Sequence, residues 1–312
     1  MKKKLSVGFF ALFMMGSIST ASPIAKALNG FDLSNVSIPV SEVLSGGPPR
    51  DGIPSIDGPK FIRSVDVRFM QADDEVVSVT MGGQTRAYPL RILVHHEIVN
   101  DELSGQSIVI TYCPLCGTAM VFSRKLGGRT LDFGVSGLLY QSDVLMYDRQ
   151  TESLWSQVAM QAMSGPLVNT ALEWLPSEQM TWAAWRVKYP QGEVLSTETG
   201  FSRNYSGEAY ARYKQSPNTM FSVPSHRTEL PEKEWVIGVR IGEVAKAYPL
   251  RILSKNSRFP DTVNNIALEI LYSSVRQQVV VREVLSGKIH PSVKIYWFAW
   301  QAFYPATELL QE

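Results

Sequence analysis

Short, largely apolar runs bounded by the polar or turn-forming residues Gly, Asp and Ser recur along this chain and set most of its predicted elements. Val65 to Phe69, Val76 to Met81, Ser107 to Tyr112, Met120 to Arg124, Thr130 to Gly134 and Val144 to Tyr147 are rich in β-branched and aromatic residues and predict strands. Helical spacing is rarer. Pro89 is placed to open a short helix running to about His96, since proline is tolerated in a first helical turn. Thr181 is suited to cap a helix that runs to Tyr189 and stops at Pro190, with a counterpart at Trp297 to Tyr304. The pattern predicts a strand-rich α+β fold.

The pattern also repeats. VVSVTMGGQTRAYPLRIL, from Val76 to Leu93, aligns without gaps to VIGVRIGEVAKAYPLRIL, from Val236 to Leu253. TWAAWRVKYPQGEVL, from Thr181 to Leu195, resembles YWFAWQAFYPATELL, from Tyr296 to Leu310. The expected architecture is therefore two related halves from an internal duplication, the second about 45 residues shorter between these motifs. Where the first copy has His95, His96 and Cys113-Pro114, the second has Lys255, Asn256 and Ser273-Ser274, and it lacks a stretch within Arg124 to Leu167. The shared motifs read as scaffold, so chemistry belongs to the first copy.

These boundaries divide the chain into an N-terminal signal peptide over 1–27, a Gly/Pro-rich extended segment over 28–62, a motif-bearing half over 63–225 and a degenerate half over 226–312. Lys2 to Lys4 followed by the apolar run Leu5 to Met15 is the signature of an export signal, with Ala25-Lys26-Ala27 the preferred cleavage site over Ser19-Thr20-Ala21. The run is shorter than the roughly 20 residues needed to span a bilayer, which predicts a periplasmic or secreted protein with no membrane span after cleavage. The net charge of +1 gives no electrostatic footprint for nucleic acid. In the 28–62 segment, Asp51 and Asp57 read as turn residues.

Both cysteines of the chain, Cys113 and Cys116, lie in TYCPLCGTAMVFSR. Three readings follow. As an inert disulfide the pair closes too short a loop to stabilise much, about 2 kcal/mol against about 3 for a 15-residue loop. As a metal site, CPxCG aims two thiolates at one ion, with His96 as the favoured third ligand and copper or zinc as the metal. As a thiol oxidoreductase, Cys113 attacks, Cys116 resolves and His96 serves as base or electrostatic partner, acting on a thiol/disulfide partner or a small molecule. Gly117 and Met120-Val121-Phe122 predict a strand-turn-strand around the pair, so thiolate stabilisation would come from His96, Arg124 or turn N–H groups rather than from a helix. Asp143, Asp148, Arg149, Gln150 and Glu152 form a dense polar motif. Asp148, Arg149 and Glu152 read either as a pocket beside the thiols or as a hairpin turn. His226 and His290 read as surface residues.

GGPPRDGIPSID, AYPLRIL, HEIVND, TYCPLCGTAMVFSR, LDFGVSGLLYQSDVLMYDRQTESLWSQ and STETGFSRNY together resemble the DUF3179 family, a group of exported bacterial and archaeal proteins without an established activity. The resemblance runs from about Gly46 to Tyr213, with the second repeat as its continuation. It implies that some members carry selenocysteine at one of the two cysteine positions, and hence redox or metal chemistry at Cys113 or Cys116.

Overall fold

The computed structural model describes residues 27–207, 209–221, 223 and 227–311. The expected signal peptide, apart from Ala27, and His226 lie outside them. Strand accounts for 43% of the structure and helix for 12%, and the sheets are arranged as a five-bladed β-propeller. This corrects the expected α+β fold of two duplicated halves. The helices are too short to form a layer: the longest, Trp182–Lys188 and Trp297–Phe303, have 7 residues each, or roughly 10 Å of rise.

Five sheets carry the fold. The cysteine sheet orders Trp174–Leu175, Thr118–Ser123, Gln106–Cys113 and Ile98–Leu103. The serine sheet follows the same hairpin plan with Arg258–Val263, Ile266–Ser273 and Gln278–Glu283, and adds Ile289–His290. An arginine sheet is built on the hairpin Glu75–Met81 and Gln84–Pro89, and a lysine sheet on Trp235–Ile241 and Val244–Pro249. In these two hairpins Val76 pairs with Pro89 and Val236 with Pro249, at the same register. The cap sheet orders Gln161–Ala162, Leu154–Ser156, Asp143–Asp148, Phe133–Tyr140 and Val43–Ser45. Most of it comes from the stretch that the C-terminal copy lacks. What recurs is thus a pair of sheets, and the cap sheet is a fifth with no counterpart.

Local sequence accounts for much of this. Pro89 precedes the four-residue helix Leu90–Leu93, and Thr181 caps Trp182–Lys188 by accepting the Ala184 N–H at 3.3 Å. Val65 to Phe69 is not a strand; a 3-10 turn over Ser64–Asp66 occupies its start. The Gly/Pro-rich segment supplies two edge strands, Val43–Ser45 and Phe61–Arg63. Its aspartates are structural: Asp51 accepts the Tyr147 hydroxyl at 2.5 Å, and Asp57 accepts Asn100 Nδ2 at 2.7 Å. The largest apolar cluster joins Cys113, Cys116, Met146 and Trp155 to Val236, Ile295 and Trp297. It therefore crosses the boundary expected near residue 225 and sets the cysteines in the interior. Among the described residues no helix is long and apolar enough to cross a membrane.

Candidate functional site: a buried pair of thiols beside a carboxyl group

Gln106–Cys113 and Thr118–Ser123 pair antiparallel with Cys113 opposite Thr118, which leaves Pro114, Leu115, Cys116 and Gly117 as the turn. Gly117 has φ +67, a left-handed conformation that glycine adopts without strain. A Cβ there would also stand 2.4 Å from the Trp235 ring and 3.1 Å from Tyr296. The turn brings the Cys116 N–H to Cys113 Sγ at 3.4 Å, so both sulfurs face the same region. Other parts of the chain hold it there. The Tyr296 N–H donates to the Cys116 carbonyl at 3.0 Å, and the Tyr213 hydroxyl donates to the Leu115 carbonyl at 2.8 Å.

Facing the thiols is the two-residue turn of the cap sheet, Gln141-Ser142, flanked by the pair Tyr140 and Asp143. Its φ angles, +52 and +63, suit a primed hairpin turn but fall on residues that rarely adopt them. Two contacts hold it: Gln141 Nε2 donates to Glu42 at 3.0 Å, and the Ser142 hydroxyl donates to the Phe221 carbonyl at 3.1 Å. The Ser142 carbonyl then lies 3.3 Å from Cys116 Sγ and 3.8 Å from Cys113 Sγ. Asp143 follows, with Oδ1 3.8 Å from Cys116 Sγ, and Oδ2 accepting the Val158 N–H at 3.0 Å and the Ser156 hydroxyl at 3.3 Å. Both sulfurs and an Asp143 carboxyl oxygen lie within 4.8 Å of one another.

Burial governs the electrostatics. Cys113 is 1% exposed and Cys116 and Asp143 are 0% exposed. Loss of hydration pushes the Cys116 thiol well above its ordinary value. The same cause pushes the Asp143 carboxyl up to about 7, against the hydrogen bonds from Val158 and Ser156. The hydrogen-bond partners of the three groups among the described residues carry no positive charge.

His96 is buried but is not the third group beside the thiols; Asp143 is. The two His96 ring nitrogens meet the Pro54 carbonyl at 2.7 Å and the Tyr205 hydroxyl at 2.6 Å, and burial pushes its pKa below the ordinary imidazole value. The chain reverses directly after it, at Glu97 with φ +57, and the imidazole packs with Phe201 and Tyr205. His95 is half-buried against Tyr205. Arg124 pairs with Asp132. Asp148, Arg149 and Glu152 form the turn between Asp143–Asp148 and Leu154–Ser156, and none of the three lines the cavity beside the thiols. Asp148 accepts the Thr151 N–H at 2.7 Å and Trp155 Nε1 at 2.9 Å, Arg149 pairs with Asp57 at 2.7 Å, and Glu152 with Arg50 at 2.8 Å. His290 is half-buried and meets Glu283 at 3.4 Å.

Glu97 is the residue that sequence reasoning passed over. It shares the wall of a cavity of about 110 Å³ with Cys113 and Tyr210. Burial pushes its carboxyl up to about 8, with Asp143 adding to the shift. The signal that could have found both acids was already in the repeat: Glu97 aligns with Ser257, and Asp143 falls in the stretch without a counterpart.

The fold and site together define a class, a five-bladed propeller with a buried Cys-Cys-Asp cluster between two of its sheets. The chain belongs to the family described as protein of unknown function (DUF3179), whose model matches residues 50–290. No curated protein and no solved structure matches it.

Proposed function

We propose that Cys113, Cys116 and Asp143 form a zinc centre in an exported protein. The observation that carries this reading is the burial of three acidic ligands within 4.8 Å of one another, with no positively charged hydrogen-bond partner among the described residues. Ionised together without a cation, three such groups would face both desolvation and mutual repulsion; a divalent ion offsets both. The donor set selects zinc over copper(I), since a carboxylate oxygen is an ordinary zinc ligand, whereas copper(I) favours soft thiolate and thioether donors. Sulfurs bound to one tetrahedral zinc at about 2.3 Å stand roughly 3.8 Å apart, a spacing within reach of small side-chain shifts from this arrangement. Three protein ligands leave a fourth position for water or a substrate atom.

A second reading, dithiol/disulfide chemistry with Cys113 attacking and Cys116 resolving, is supported by one contact. Asp143 Oδ1, 3.8 Å from Cys116 Sγ, is placed to take the thiol proton. Against it, exchange with a partner needs an accessible thiolate in electropositive surroundings, and these thiols are buried among acids. Export to the periplasm or beyond is supported by Lys2 to Lys4 and the apolar run after them. The 226–312 segment acts as support for the centre, through Trp235 and Tyr296.

The test is metal analysis with thiol titration on mature protein purified without chelators. The expected result is one zinc per chain, both thiols unreactive until a chelator removes the metal, and loss of zinc in Asp143→Asn. A metal-free protein whose cysteines cycle readily to a disulfide overturns the zinc reading in favour of redox work.

A further inference from the structure

The cavity beside Cys113 is walled by Ile53, Val135 and Phe221 as well as by Glu97, Cys113 and Tyr210. The lining is mostly apolar, and Glu97 is its charged side chain. Glu97 is 7% exposed, and no hydrogen bond to its carboxyl group is found among the described residues. Its oxygens are not among the fully buried unpartnered atoms, so they face the cavity; a carboxyl group left without a partner in such a place costs up to about 1–3 kcal/mol, more if charged, which a hydrogen-bonding occupant of the cavity would offset.

The backbone makes the placement more pointed. Glu97 and its repeat counterpart Ser257 make the same bond, accepting the N–H of Tyr112 at 2.7 Å and of Tyr272 at 3.0 Å. Only Glu97 takes a left-handed φ, +57; Ser257 does not have a positive φ. A non-glycine residue in that region costs on the order of 1–3 kcal/mol, and such strain concentrates at ligand sites. The shared frame therefore does not require the strain, whereas a carboxyl placed in this cavity accounts for it.

We propose that this cavity is a ligand pocket for a small neutral alcohol, held with its hydroxyl on Glu97 and its hydrocarbon against Ile53, Val135 and Phe221. A hydroxyl both donates and accepts, so it pairs with a carboxyl group in either protonation state. A cavity of about 150 Å³ holds benzene; by that scale this one, about 110 Å³, takes a ligand of roughly four or five heavy atoms. An anion is disfavoured by Glu97 and by the acids behind it, and the apolar walls disfavour any charged ligand. The assignment rests on Glu97 and the cavity, not on the metal.

The experiment compares 2-methylpropan-1-ol with its near-isostere 2-methylbutane, by ligand-observed NMR titration of the full mature chain. The expected result is a roughly tenfold preference for the alcohol, the worth of one good hydrogen bond. Glu97→Gln keeps that preference, because an amide also donates and accepts, and Glu97→Leu abolishes it. Val135→Phe, which fills the cavity and leaves Glu97 in place, abolishes binding of both probes and gives an independent arm should Glu97→Leu fail to fold. Cys116→Ala, which removes the zinc site, keeps the preference, so loss of the zinc reading and loss of this one are told apart. Equal binding of the two probes, no binding of either, or a preference that survives in Glu97→Leu overturns the proposal.

Discussion

Two turns in this molecule have nearly the same backbone and opposite surroundings. In the cysteine sheet Cys113 pairs with Thr118 across Pro114 to Gly117; in the serine sheet Ser273 pairs with Gln278 across Ser274 to Gln277. The Cys116 N–H meets Cys113 Sγ at 3.4 Å, and the Arg276 N–H meets Ser273 Oγ at 3.3 Å. Each turn ends on a left-handed residue, Gly117 at +67 and Gln277 at +49. Behind them the ion pairs also correspond: Arg86 joins Asp101 at 2.9 Å and Glu193 at 3.1 Å, while Lys246 joins Asp261 at 2.8 Å and Glu308 at 3.3 Å. What differs is the cover. Leu115 is 7% exposed and its counterpart Val275 is 88% exposed. The turn supplies the convergence of two side chains, and the cap sheet supplies desolvation, the Ser142 carbonyl and Asp143. Geometry is common to both copies; chemistry depends on what lies over it.

The strongest attempt to break this comparison transplants the ligands. The double variant Ser273→Cys with Arg276→Cys places a cysteine pair on the exposed turn without a carboxyl group or cover. Structural zinc contributes about 10–16 kcal/mol, so each missing ligand should cost roughly 3–4 kcal/mol, or a few hundred-fold in affinity. In competition with a zinc indicator, the transplanted pair, tested in a Cys116→Ser background, is expected to bind at least that much more weakly than the native centre. Equal affinity would mean that the cover contributes nothing.

Next in size is Gly117→Ala. It adds a methyl group against Trp235 to a left-handed backbone, and the two effects together are expected to cost about 2–4 kcal/mol in urea unfolding. Gln277→Ala, on the open turn, should cost less than about 1 kcal/mol.

The pH dependence of stability sharpens the contrast further. In the metal-free protein Asp143 and Glu97 sit at about 7 and about 8, above ordinary carboxyl values of 3.8 and 4.5. The folded state therefore keeps protons that the unfolded chain has lost. This stability is fully present below about pH 4 and falls as pH rises through 7–8, by at most about 1.4 kcal/mol per pH unit and group. Zinc binding, which displaces protons, is expected to reverse the slope. Urea titrations from pH 5 to 8, with and without metal, check both signs, and Asp143→Asn should flatten the metal-free slope.

The smallest effect is expected from Val275→Ser. It removes an exposed side chain and should change stability by less than about 0.5 kcal/mol.

These comparisons also show how far the sequence could be read. Thr181 as a cap, Pro89 at a helix start and the hairpin around Cys113 follow from local chemistry, and the sequence carries them openly. The five-sheet closure does not show in the repeat alone. AYPLRIL and the W-x-A-W-x-x-x-Y-P motif mark the sheets that recur, while the cap sheet has no partner in the chain to announce it. His96 looked like the third group because the chain has no second cysteine pair and only one of the adjacent His95 and His96 could face the thiols, yet the reversal at Glu97 puts its ring against Tyr205. Asp143 was visible only as one acid in a polar run. Its proximity to Cys116 depends on the strained turn at Gln141 and Ser142, which needs contacts from Glu42 and Phe221, remote in sequence.

The seal over the thiols also sets a timescale. With both sulfurs and the carboxyl group at 1% exposure or less, and the cavity at Cys113 small and mostly apolar, a hydrated ion would reach the cluster chiefly when the Gln141-Ser142 turn or the cysteine turn lifts away. Exchange is then limited by the frequency of that opening rather than by bond strength. A metal captured before the propeller closes would be retained for as long as the cover stays down, so the order of loading and folding would decide which ion the protein carries.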